Sequence, residues 1–214
     1  MSLQKKIENG REYRDLVLSA DELEMIVEGY ATTFNEPYHL YYTKDGQEVR
    51  EMIDRDAFKE ADMSDVIFQY DHEGRVFARL SNGTMELSED DHGLKVRANL
   101  GGTEIGRNLY EEIKGGYTNK MSFGFIVADD NIERTQDGNF LRTIRKIGKL
   151  FDVSAVSMPQ NNFTEITARN HCDGVIAEIE AERLRVEEEE RIEREKRESL
   201  MNRLNALKGE NHGN

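Results

Sequence analysis

The sequence predicts an α+β fold: a mostly antiparallel sheet with helices around it, followed by a long charged helix at the C-terminal end. Three observations predict it. Short alternating segments recur between residues 24 and 168, separated by turn signals such as D-G, S-N-G and H-G. One stretch, 103–116, instead repeats its apolar residues every four positions, at Ile105, Leu109 and Ile113. From Gly174 the chain changes to long charged residues, typified by E-I-E-A-E-R-L-R-V-E-E-E-E-R-I-E-R-E-K-R-E-S-L.

With 214 residues the chain can bury one good core once that polar tail is set aside. The expected organisation is an N-terminal extension at 1–22, one folded domain at 23–170 and a helical tail at 171–214. Acidic residues outnumber basic ones, 43 to 29, and the formal charge of −14 argues against nonspecific nucleic-acid binding, which needs clustered Lys and Arg. Cys172 is the single cysteine, so no intrachain disulfide is expected and a reducing compartment fits. No apolar run of about eighteen residues and no signal-peptide pattern occurs, so neither membrane spanning nor secretion is expected.

Residues 1–22 are polar with weak periodicity and read as a loose end or short helix. The first strand is expected at 24–34, where Met25, Val27 and Ala31 oppose Ile26, Tyr30 and Phe34; both faces are largely apolar, as in a barrel or sandwich. Pro37 and D-G make 35–47 a loop before a strand at 48–53. Asp54 can cap a short helix over D-R-D-A-F-K-E-A-D-M. Strands follow at 66–72, 75–80, 83–88 and 94–100, with Leu94, Val96, Ala98 and Leu100 on one face of the last. Thr103 is the expected N-cap of the 103–116 helix, which ends at Gly115 and Gly116. After a strand near 120–127, a polar loop is expected at 129–139, then strands at 140–147 and 150–156 that Met158-Pro159 ends, and a last strand at 164–168. The tail's apolar positions, Ile176, Ile179, Val186, Ile192, Leu200, Leu204 and Leu207, do not keep strict heptads. Its alternatives are a coiled-coil or partner-binding segment and a solvated helix held by Glu–Arg pairs.

Two segments carry polar residues in apolar settings. In V-I-F-Q-Y-D-H, His72 ends a row shared with Val66, Phe68 and Tyr70. In K-M-S-F-G-F-I-V, Met121, Phe123, Phe125 and Val127 want a core, while Ser122 and Gly124 face the other way, the glycine leaving space beside the hydroxyl. Serine is a weak nucleophile until a base takes its proton, so Ser122 with His72 is the minimum for acyl transfer. A strand serine and a strand-end histidine are also common structural residues, and the two readings stand side by side.

These segments belong to four blocks in a fixed order: V-I-F-Q-Y-D-H, then G-T-M-E-L-S-E-D-D-H-G-L-K-V-R-A-N-L, then G-G-Y-T-N-K-M-S-F-G-F, then L-F-D-V-S-A-V-S-M-P. Together they resemble the prohead maturation proteases of tailed bacteriophages, which in turn resemble the herpesvirus assemblins. The resemblance runs from E-G-Y-A-T-T-F-N at 28–35 to about Ala168, roughly two thirds of the chain. It implies a mostly antiparallel, assemblin-like β-barrel with surrounding helices and a serine endopeptidase with Ser122 as nucleophile and His72 as general base. It also implies that the acidic residue after the aromatic of the L-F-x-V-S block, Asp152, orients the histidine. The herpesvirus relatives use a second histidine there. The alternative for Asp152 is a salt bridge to Arg142, Arg145 or Lys149. The assemblins suggest oxyanion stabilisation by an arginine region, for which Arg142, Arg145 and Lys146 are available.

Among the remaining histidines, His92 reads as a turn residue and His39 as a loop residue. His171 beside Cys172 is a weak thiol pair, because neighbours on an extended chain point apart. No H-E-x-x-H or paired Cys-His spacing supports a metal site, and no cofactor is expected. The implied work is cleavage of the internal scaffold, or of the scaffold segment of the major capsid protein, inside the assembling prohead in the host cytoplasm. Self-cleavage and activation by dimerisation are implied as well, with no nucleic-acid or membrane partner. The competing expectation is a noncatalytic assembly or scaffold-binding module on the same fold.

Overall fold

A computed structural model describes residues 12–21, 24–157 and 161–210. The chain divides into two compact units, Met1–Cys172 and Asp173–Asn214. The first unit is built on ten strands: β1 (Glu12–Asp21), β2 (Ile26–Thr33), β3 (Tyr38–Tyr42), β4 (Glu48–Ile53), β5 (Ile67–Tyr70), β6 (Glu73–Arg79), β7 (Met85–Glu89), β8 (Gly93–Asn99), β9 (Lys120–Arg134) and β10 (Phe140–Val156). Helix α1 (Glu104–Lys114) lies between β8 and β9, and α2 (Asn161–Glu210) follows β10. The fold is thus α+β.

The strands form one sheet in the order β3-β4-β10-β9-β1-β2-β8-β7, with β5 paired to β10 and β6 to β5. Pairing is antiparallel except where β4 and β5 run parallel to β10. The expected barrel does not close among the described strands, since β3 and β7 are not paired. The reason lies in β10, whose 17 residues outrun any single partner on that edge. Residues 140–144 take β4 and residues 152–155 take β5, so the edge ends in two separate hairpins. Val27 of β2, Val96 of β8, Phe123 of β9, Val153 of β10 and Phe68 of β5 nevertheless share one buried cluster. The sheet wraps one core without closing its ladder.

Several expected elements differ. Residues 12–21 are not a loose end or helix but a strand between β9 and β2; the stretch 1–10 lies outside the described residues. A strand at 38–42 occupies the expected loop, because tyrosines and Leu40 suit a pleated surface once the turn at 43–47 closes it. The segment 54–63 forms successive turns rather than a helix. Asp54 does accept the Asp56 amide at 2.8 Å, as a cap would. However, the Ala57 carbonyl accepts the Ile147 amide and Asp62 pairs in both directions with Gly148 and Leu150, which takes those groups away from a helical ladder.

The polar loop expected at 129–139 is mostly strand: β9 runs to Arg134 and the turn is only the short link before β10. Phe140 to Val156 is one bulged strand rather than two. The expected strand at 164–168 is the beginning of α2, where Ala168 and Cys172, four residues apart, are buried together as a helical period requires. Met158 and Pro159 lie outside the described residues. Helix α1 keeps its predicted cap: Thr103 Oγ1 accepts the Gly106 amide at 3.1 Å, and Gly116 ends the turn at φ 75°.

In the second unit, α2 carries Arg183 paired with Glu180 and Glu187, and Arg191 paired with Glu188 and Glu195. Such exposed pairs add little to the helix, because water and salt screen them. Leu184 and Leu200 on this helix are 58% and 60% exposed. Among the described residues no helix is long and apolar enough to cross a membrane.

Candidate active site

Ser122 sits on β9 with its neighbours Met121 and Phe123 fully buried in the core, as alternation requires. Directly across the ladder on β10 stands Ser154, and the next site-facing pair along is Gly124 opposite Asp152. These four residues form a square on one face of the β9–β10 pair. Asp152 reaches that face through a bulge. Leu150 pairs with Phe125, both in the core, but the next pair is Asp152 with Gly124, so Phe151 is an extra residue. Uninterrupted alternation from Leu150 would have turned residue 152 toward the core.

His72 comes from outside the square. Strand β5 lies on the opposite edge of β10 from β9 and runs parallel to it, ending beside Ala155. The chain then reverses through Asp71 and His72, and Tyr70 pairs with Glu73. Both turn residues have positive φ, 47° and 58°, as tight hairpin turns demand. His72 is therefore a turn residue rather than the last member of a strand row. Asp and His tolerate this region better than most residues, yet each still costs of order 1 kcal/mol. The geometry returns the imidazole across β10.

The ring lies between diagonal corners. Nε2 is 2.7 Å from Ser122 Oγ, and Nδ1 is 2.5 Å from Asp152 Oδ2. Asp152 also accepts the Ser154 hydroxyl at 3.0 Å. Ser122 and Asp152 are each 1% exposed, and the His72 side chain 10%. A buried carboxylate needs such donors, because leaving it unpaired costs several kcal/mol. With Asp152 ionised, Nδ1 carries the proton and donates, so the Nε2 lone pair faces the Ser122 hydroxyl. That arrangement can take a proton from the hydroxyl as its oxygen attacks a carbonyl.

Gly124 explains how the ring fits. Diagonal positions on paired strands are about 7–8 Å apart, close to the span of an imidazole with a hydrogen bond at either end. A side chain at the Gly124 corner would rise into that space. Gly124→Val is expected to lower peptide-hydrolysis kcat/KM by about 100-fold or more, the scale of an ångström-level misplacement. Steady-state kinetics on a peptide substrate would measure it, and activity within twofold of the parent would contradict the packing argument.

The other sequence candidates are engaged elsewhere. Asp152 makes no salt bridge to Arg142, Arg145 or Lys149. Arg142, 2% exposed, binds Glu51 at 2.8 Å and Asp130 at 2.6 Å. Tyr38 donates to Glu51, and His171 Nε2 lies 3.1 Å from Asp130 Oδ1, so this set, buried at Arg142 and Glu51, ties β4, β9, β10 and the start of α2 together. Arg145 pairs with Asp129, Lys146 with Glu60 and Lys149 with Asp62. The Lys149 ammonium, with Ser64, holds Asp62 well below the usual carboxylate range. Each of the three basic candidates for oxyanion stabilisation is thus paired with a carboxylate.

His92 packs edge-on against Tyr30 at 4.5 Å, in a tip where Asp90 accepts the Tyr30 hydroxyl and two backbone amides. These bonds, the hydroxyl's first, pull the Asp90 carboxyl below its ordinary range. His39 faces Glu48 at 3.0 Å, and Cys172 is buried. The residues that sequence reasoning left out of the site are Ser154 and Asp71. Ser154 was visible as a polar residue two positions from Asp152 on an otherwise apolar strand.

One protein-family model, described as caudovirus prohead serine protease, matches residues 14–177, a span that includes all ten strands except the first two residues of β1. No curated protein and no solved structure matches the chain.

Proposed function

We infer the activity from two facts taken together: the chain belongs to the caudovirus prohead serine protease family, and Ser122, His72 and Asp152 stand in one hydrogen-bonded line. The family's role is capsid maturation inside the assembling prohead. On our reading Ser122 attacks the scissile carbonyl, His72 accepts its proton and passes it to the leaving amine, and Asp152 orients and stabilises the imidazolium. The hydrogen-bonded line carries this assignment.

The proposed substrates are the internal scaffold or the scaffold segment of the major capsid protein, and the chain itself, cut in the prohead within the host cytoplasm. Removal of that material would make room for the genome. The matching fold would be the assemblin-like one; the catalytic domain expected at 23–170 would take in β1 as well, since that strand lies between β9 and β2, and the tail would be 171–214. The test is intact-mass spectrometry of the capsid protein expressed with this chain and without it. Defined shorter products only in its presence are expected; full-length capsid protein in both would favour a noncatalytic assembly module.

The tail is proposed to bind scaffold helices and carry the protease into the shell. Exposed Leu184 and Leu200 among paired charges suit a helical partner. Deleting residues 174–214 is expected to leave peptide cleavage intact and to lower the number of protease copies per particle several-fold. Quantitative mass spectrometry of purified proheads would show this, and an unchanged copy number would remove the proposal.

A further inference from the structure

We propose that Asp71 is a positioning residue for His72, acting through a clasp on Ser157. The inference rests on the assignment of His72 as the base. A tight turn with two adjacent residues at positive φ keeps its shape only when its surroundings over-determine it. Here the restraints converge on Asp71. Its amide donates to the Ala155 carbonyl at 2.9 Å, extending the β5–β10 pairing by one step. Its carboxylate accepts the Ser157 amide at 3.0 Å and the Ser157 hydroxyl at 3.1 Å.

Both anchors belong to the end of β10, or the residue after it, and the same strand holds Asp152 and Ser154. The turn that delivers the imidazole and the strand that delivers its carboxylate partner are therefore fastened to each other beside the site. Asp71 has no hydrogen bond to the ring; its work is to fix the backbone from which the ring projects. Loosening the clasp lets the turn relax toward ordinary φ values. The Nδ1–Asp152 and Nε2–Ser122 distances then fail together, because one ring makes both.

The experiment compares the full chain with Asp71→Gly, Asp71→Asn and Ser157→Ala. Glycine adopts positive φ without strain, so Asp71→Gly removes the clasp while leaving the turn conformation accessible. Asparagine keeps an acceptor for the Ser157 amide and also tolerates positive φ. The readouts are kcat and KM on a peptide substrate and the downfield proton NMR signal of the His72 Nδ1–H hydrogen-bonded to Asp152. Asp71→Gly is expected to lower kcat on the order of tenfold or more with KM within about twofold, and to broaden the NMR signal. Asp71→Asn should restore both, and Ser157→Ala, which keeps its amide, should fall between. Parental kcat with an unchanged sharp signal in Asp71→Gly overturns the proposal, as does equal loss in the glycine and asparagine variants. If the parent chain cuts no peptide, the protease assignment fails, and the NMR signal alone still decides whether the clasp positions the ring.

Discussion

Ser122→Ala is expected to lower kcat/KM for peptide cleavage by about 10⁴-fold or more, with the fold retained. The substitution removes one oxygen from a residue that is 1% exposed and lies near the start of β9, between β1 and β10. No cavity larger than a hydroxyl is left, so the loss is chemical rather than structural. His72→Ala should cost a similar factor. The double variant should be little worse than either alone, because a nucleophile without its base and a base without its nucleophile are equally idle. Hydrolysis of a peptide spanning a mapped cleavage site, with circular dichroism as a fold control, makes the measurement. Cleavage by Ser122→Ala within tenfold of the parent would end the assignment of Ser122 as nucleophile.

Asp152→Asn should lower kcat by about 10³–10⁴-fold while changing KM little. The amide matches the carboxylate in volume, and the Ser154 hydroxyl, which shares Oδ2 with Nδ1, can rotate to accept from the nitrogen placed there. What changes at the ring is the direction of one hydrogen bond. An amide nitrogen turned toward Nδ1 donates to it, which moves the imidazole proton to Nε2, and a protonated Nε2 cannot accept from Ser122. The imidazolium that forms during attack also loses its counter-charge in a nearly water-free site. Kinetics in parallel with thermal unfolding would separate this from destabilisation. An asparagine variant retaining a tenth of parental kcat would show that the carboxylate acts only as packing.

Much of this site could be read before any coordinates, and the reasons are particular. Met121, Phe123 and Phe125 announce their face so strongly that Ser122 and Gly124 had to lie on the other. Thr103 and the glycines at 115 and 116 framed α1 because caps are local chemistry. His72 was visible as a residue but not as a turn, because positive φ at Asp and His leaves no periodic trace. The first strand escaped because its sequence, E-Y-R-D-L-V-L-S-A-D, is too polar to signal a place between two neighbours. The helix expected over 54–63 lost to pairing with β10, a long-range bond pattern that no local propensity contains. The open ladder, likewise, follows from how β4 and β5 share one edge.

The bulge at Phe151 makes the count of residues in β10 part of the candidate site. A substitution at position 151 changes one side chain, and deletion of that residue would pair Asp152 with Gly124 directly after Leu150 with Phe125, the regular ladder step. Asp152 would keep its face, so the site would lose a bulge but none of its residues. A single-residue insertion along residues 150–152 is the change that this centre can least absorb, whatever its chemistry, because one more ladder step turns Asp152 inward opposite Phe123.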